Sequence, residues 1–152
     1  MFIPKRIIFE KNALNYEMGK NIYEKFKDKA EIITLTNNKI KGNIPGDNIM
    51  EEGKNTLVVG VKKGYKFQSC KPSAHWQLPL LSGCVGNCQY CYLNTNLGDK
   101  PFIKINVNID DILNRAQEYM YERKPKITIF EGSATSDPIP VEPYTHCLKK
   151  AI

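Results

Sequence analysis

No stretch of this 152-residue chain is apolar for long enough to cross a bilayer: runs such as Leu57 to Val59 fall far short of the ~20 residues a membrane helix needs. Its start, Met1-Phe2-Ile3-Pro4-Lys5-Arg6, lacks the apolar segment of an export signal, and there is no internal repeat or low-complexity tract. With 41% hydrophobic and 25% charged residues, the composition excludes a wholly disordered chain and fits one modest core. The expectation is a soluble cytoplasmic protein with no membrane partner. A disulfide framework is excluded on the same ground, because the cytosol keeps thiols reduced. Three of the five cysteines nevertheless fall within eight residues, which points to metal.

Acidic residues are absent from Gly53 to Gly98, whereas Lys54, Lys62, Lys63, Lys66 and Lys71 all lie there, in a chain of net charge +6. A partner for this stretch is expected to be anionic. Tyr65 and Phe67 between the lysines favour nucleic acid, since rings stack on bases while lysines follow phosphates. A solvated lysine-rich connection is the plainer alternative.

Periodicity supplies the elements. Lys5 to Glu10 reads as a strand, and Leu14, Met18, Ile22 and Phe26 mark one face of a helix from Asn12 to Lys27. Glu31 to Thr36 and Thr56 to Val61 read as further strands, separated by a loop over Asn37 to Gly53 punctuated by Ile44-Pro45-Gly46-Asp47. After a basic connection over Lys62 to Ser73, strands are expected at Trp76 to Leu81, Phe102 to Val107 and Lys126 to Phe130. Asn108 is placed as N-cap of a helix ending near Arg123, with Asp110 and Asp111 in its first turn, where the helix dipole favours anions. A last helix starts at Pro143 and has no terminating signal before Ile152. The fold class is α/β: a small N-terminal α/β unit over residues 1–65, then alternating strands and helices over residues 66–152.

The array Cys84-Val85-Gly86-Asn87-Cys88-Gln89-Tyr90-Cys91 is CxxxCxxC on a glycine-containing loop, expected to bring three thiolates to one side of a compact turn. Structural zinc sites and electron-transfer 4Fe-4S clusters usually take four protein ligands, whereas three thiolates on a cubane leave one iron open to a small molecule. A zinc site completed by Cys70, Cys147, His75 or His146 is the competing reading, although these four residues are isolated in the sequence. Trp76 beside His75 is read as core.

CxxxCxxC with an aromatic directly before the third cysteine, here Tyr90, is the signature of radical S-adenosylmethionine (SAM) enzymes. Lys71-Pro72-Ser73-Ala74, then Cys88-Gln89-Tyr90-Cys91-Tyr92-Leu93-Asn94-Thr95, Phe130-Glu131 and Thr135-Ser136-Asp137 resemble the spore photoproduct lyase family in identity, order and spacing. Thr56 to Val61 and Leu148 to Ile152 extend the resemblance over most of the chain. It implies that residues 66–152 are the first half of a radical SAM partial (β/α)6 barrel. It implies a 4Fe-4S cluster held by Cys84, Cys88 and Cys91, with SAM as the second cofactor. Tyr90 would pack near the adenosine, Ser136 would contact SAM, and Tyr92 would help pass a hydrogen atom. The implied reaction is repair of spore photoproduct in UV-damaged DNA through a 5'-deoxyadenosyl radical. The implied partners are that DNA and a reductant such as flavodoxin or ferredoxin, in the spore or germinating cell.

Two departures accompany the resemblance. Ala134 occupies the position directly before Thr135-Ser136-Asp137 where the family carries its hydrogen-donating cysteine. Substitution by Cys147 or Cys70, a different lesion, or a deliberate change all remain open at this point. The chain between Cys91 and Ile152 has room for two strand–helix units of ~30 residues each. The expectation is therefore an N-terminal portion whose open sheet edge favours association. Two further readings stand beside the repair enzyme: a radical SAM enzyme with another substrate, and a metal-stabilised nucleic-acid-binding module without catalysis.

Overall fold

The computed structural model describes residues 1–37, 39–40, 42–44, 48–96, 98, 100–132 and 134–152; Pro45, Gly46 and Asp47 of the expected loop lie outside these residues. Strands β1 (Arg6–Phe9), β2 (Glu31–Thr34), β3 (Thr56–Gly60), β5 (Leu81–Ser82) and β6 (Ile103–Asn106) form one sheet in the order β2-β1-β3-β6-β5. All pairings in it are parallel except β5 with β6. The fold is thus mixed α/β with a parallel-rich sheet. A second sheet pairs β4 (Trp76–Gln77) with β7 (Phe130–Glu131), also parallel. Because β6 hydrogen-bonds to β3, the first sheet draws on residues from both sides of residue 65.

Strands β1 and β3 are buried throughout, as the continuous apolar runs Ile7-Ile8-Phe9 and Leu57-Val58-Val59 require of central parallel strands. Helices α1 (Glu17–Phe26) and α4 (Ile109–Arg123) pack Met18, Ile22, Phe26, Ile112 and Ala116 into the core formed with Ile7, Phe9, Leu57, Val59, Ile103 and Ile105. The opposite face is smaller, built from Ile8, Val58, Leu35 and Phe102. Each such aliphatic or aromatic side chain, fully buried, contributes roughly 1.5–3 kcal/mol by transfer from water.

Several expected elements differ in extent. The first helix begins at Glu17 rather than Asn12, because Tyr16 is extended and a separate 3-10 turn, Ala13–Asn15, precedes it. Helix α2 (Ile49–Lys54) falls inside the expected loop; Asn48 caps it by accepting from the Glu51 N–H at 3.2 Å. The expected strand over Trp76 to Leu81 is divided around Pro79, which has no N–H for a ladder, into β4 and β5 on two different sheets. Lys126 to Phe130 contributes only its end to β7: among the described residues β4 is its one strand partner, and Ile127 is 82% exposed. The last helix is two short ones, α5 (Glu142–Thr145) and α6 (Cys147–Ala151), separated by His146 in the left-handed region. Asn108 does sit at the N-cap of α4, but its side chain accepts from the Lys62 N–H at 2.8 Å, tying the end of β3 to the helix instead of capping it.

Candidate active site

The cysteine loop leaves β5 through Gly83, whose φ of 81° and close approach to the Phe102 carbonyl exclude any side chain there. The Gly83 N–H donates to the Thr135 carbonyl at 3.0 Å, and Gly83 forms a parallel bridge with Ser136. Two segments more than fifty residues apart are thereby joined, and the start of the cysteine loop lies beside the Thr135-Ser136 stretch.

Within the loop, the Cys84 and Cys88 sulfurs converge over Gly86: a Cβ on that glycine would lie 3.4 Å from Cys84 Sγ and 3.6 Å from Cys88 Sγ. The Gly86 N–H points at Cys84 Sγ at 3.3 Å. From the end of α2, Lys54 Nζ donates to the carbonyls of Cys84 and Gly86, each at 2.8 Å. Cys91, half-buried, follows on a turn in which its N–H donates to the Cys88 carbonyl at 3.1 Å. Among the described residues no group of three or more Cys, His, Asp or Glu side chains is assembled as for a metal. Backbone bonds and Lys54 hold the Cys84–Gly86 half, whereas Cys88 lies exposed at the surface.

Ser136 Oγ is buried with no hydrogen-bond partner; four such side-chain atoms occur among the described residues, and this is the one on the segment bridged to the cysteine loop. An unmet hydroxyl costs about 1–3 kcal/mol and calls for a polar ligand. The donor set therefore fits the implied cofactors: two cysteine sulfurs around a glycine cradle, and an orphaned hydroxyl on the bridged segment. Tyr92, just after the loop and directly before the short helix α3 (Leu93–Asn96), donates its hydroxyl to the Ala134 carbonyl at 2.7 Å. Tyr90, by contrast, is 95% exposed.

Cys70 lies on the turn before β4, half-buried. Burial, and then the charge of the Glu131 carboxylate, to which it is hydrogen-bonded, push its thiol above the ordinary value. Ser73 Oγ lies 2.8 Å from the Cys70 carbonyl and 3.1 Å from Glu131 Oε2, joining this turn to the end of β7. Cys147 is sequestered in the core, its thiol pushed up to about 11 by burial. His75 accepts from the Ile129 N–H through Nδ1 at 3.0 Å, a structural role. Trp76 stacks against Tyr119 at 4.4 Å between centroids, as a core residue does. Sequence reasoning recorded Lys54 only as charge. No periodic signal marks a lysine that reaches thirty residues along the chain to two carbonyls.

A family model described as spore photoproduct lyase matches residues 2–152. This chain belongs to the spore photoproduct lyase family. The spore photoproduct lyase of Clostridium acetobutylicum is 56% identical over 152 residues, and that of Bacillus subtilis 44% identical over 155 residues. Each alignment covers at least 97% of this chain and 45% of the relative, so the chain spans about half the length of the spore photoproduct lyases it matches. Among solved structures, spore photoproduct lyase complexed with dinucleoside spore photoproduct superposes with a TM-score of 0.92 at 48% identity, covering 99% of this chain and 45% of that one. A double mutant of spore photoproduct lyase with bound AdoMet and the same dinucleoside gives 0.92 at 50% identity, with the same coverage.

Proposed function

We propose that this chain is the cluster-bearing N-terminal portion of a radical SAM lyase that reverts spore photoproduct in UV-damaged DNA to two thymines, in the cytoplasm of the spore or germinating cell. The observation that carries the reading is the juxtaposition of the cysteine loop with the orphaned Ser136 hydroxyl through the Gly83 bridge. Cys84, Cys88 and Cys91 would hold a 4Fe-4S cluster. The chemistry which that cluster supplies, with an electron from flavodoxin or ferredoxin, is cleavage of SAM to a 5'-deoxyadenosyl radical that abstracts hydrogen from the lesion.

The remaining work falls to side chains. The Gly86 N–H holds the Cys84 sulfur in position, and Lys54 holds that part of the loop in place. Ser136 offers its hydroxyl to SAM, and Tyr90, free in solvent here, folds over the adenosine once that ligand provides a surface. Ala134 cannot return a hydrogen atom to the product radical. Cys70 supports that role better than Cys147, since it is not locked in the core. Tyr92, anchored on the Ala134 carbonyl, passes a hydrogen atom along the same segment. Anaerobic reconstitution of the protein carrying this chain should yield about four irons and four sulfides. Zinc without sulfide would overturn the reading, and SAM cleavage without thymine recovery from dimer-containing DNA would assign another substrate.

A further inference from the structure

The five-stranded sheet has a topological switch point. Strand β2 lies on one side of β1 and strands β3 and β6 on the other, so the chain segments leaving β1 and β3 diverge at their C-terminal ends and open a crevice there, where ligands of open α/β sheets bind. In this protein the crevice is a cavity of about 560 Å³, and neither the cysteines nor Tyr90 or Tyr92 lines it.

Its charge is one-sided. Lys62, Lys63, Lys66 and Lys104 line it against a single acid, Glu10. That acid is already neutralised: Glu10 is buried and pairs with Lys104 Nζ at 2.5 Å, the pair crossing over Gly60, where a Cβ would strike both side chains. Three lysines then face the cavity with no ion-pair partner among the described residues. They also stand on a fixed base. The Lys62 backbone is clasped by both ends of the Asn108 amide, and the Phe67 N–H donates to Tyr119 Oη at 3.3 Å, so the Lys62–Phe67 segment is anchored at each end.

The crevice adjoins the catalytic segment. Thr135 forms part of its wall, held by Gln77 Nε2 at 3.0 Å, while the neighbouring Ala134 carbonyl holds Tyr92. The residue that anchors Tyr92, Ala134, is thus the chain neighbour of a residue in the crevice wall, Thr135. We infer that the switch-point crevice is a phosphate-binding track, in which Lys62, Lys63 and Lys66 hold the DNA backbone flanking the lesion. This rests on the function proposed above and assigns the backbone contact to a sheet end that carries no cofactor ligand.

The test compares two triple variants of the protein carrying this chain: K62Q/K63Q/K66Q, and K20Q/K29Q/K126Q as a control with the same loss of charge elsewhere. Affinity for a lesion-containing oligonucleotide and for its undamaged counterpart is followed against salt. Each phosphate contact contributes about 0.9 to the slope of log K against log salt. The crevice triple should flatten that slope by about 2–3 and weaken both DNAs by the same factor, about tenfold or more at low salt, whereas the control should change binding by less than about threefold. SAM cleavage without DNA should be unchanged in both. Equal losses in the two triples would overturn the assignment, as would loss of inorganic phosphate or mononucleotide binding with DNA affinity intact. If the unaltered protein holds neither DNA, the DNA-repair reading fails with it; if it binds DNA and the crevice triple binds as well, the crevice assignment alone falls.

Discussion

At the scale of single residues, the site consists of groups whose ordinary partners are missing or displaced. Ser136 Oγ is buried without a partner, which in the absence of ligand is a cost. Ser136→Ala should therefore leave the melting temperature unchanged or raise stability by about 1 kcal/mol, while weakening SAM binding about tenfold. Thermal unfolding and titration calorimetry read the two effects separately, and a destabilised variant would show the hydroxyl to be structural. Cys70 offers a test of sign. The Glu131 carboxylate disfavours the thiolate, so removing that charge in Glu131→Gln must lower the thiol pKa. The alkylation rate of Cys70 against pH should shift to lower pH in the variant; an unmoved profile would mean that burial alone raises it. Cys84, Cys88, Cys91, Tyr90, Tyr92 and Ser136 could be named as candidates from the sequence because motif spacing is a covalent property. Lys54 and Glu131 as partners were not, because their roles exist only across distant loops.

Among elements, the short helices depend on specific caps. Burial tends to raise the Glu142 pKa, but its bonds from the Leu148 and Lys149 N–H groups, at 2.9 and 3.1 Å, outweigh this and hold it below the ordinary value. A carboxylate with a depressed folded-state pKa adds stability above its unfolded value, near 4.5, and loses it as pH falls through the folded value. Glu142→Gln should thus cost about 1 kcal/mol at pH 7, with the difference from the unaltered protein shrinking below pH 4.5. Denaturant unfolding at pH 7 and pH 3 measures it, and an undiminished gap at pH 3 would refute the charge-based account. Central strands β1 and β3 and helix α4 were readable from periodicity. Helix α2 was missed although Asn48 and Glu51 carry a capping signature, because its apolar stripe is too short to stand out. The strand ending at Phe130 was overestimated, since alternation marks a strand only where a neighbour covers its faces.

For the whole molecule, the five-stranded sheet is finished by β2 and the short β5, while the β4–β7 sheet has two strands and two outer edges. Beside it stand Ile127 and Ile129, both exposed. Unpaired edges next to exposed apolar side chains favour association. Residues 1–152 expressed alone should sediment as oligomers at micromolar concentration, and Ile127→Lys with Ile129→Lys should shift them toward monomer. A monomer from the start would show that the edges are adequately protected.

Composition, motif spacing and periodicity determined the α/β class, the buried central strands, the positive character of residues 53–98 and the identity of the candidate ligands, because each is set by the local order of side chains. Tertiary structure alone decided that Gly83 meets Ser136, that Tyr92 reaches Ala134, that Cys70 rather than Cys147 stands beside Glu131, and that three lysines face a switch-point crevice. Those contacts join residues far apart along the chain. They become favourable only after the sheet has met the entropy cost of closing the intervening loops, so no local pattern announces them.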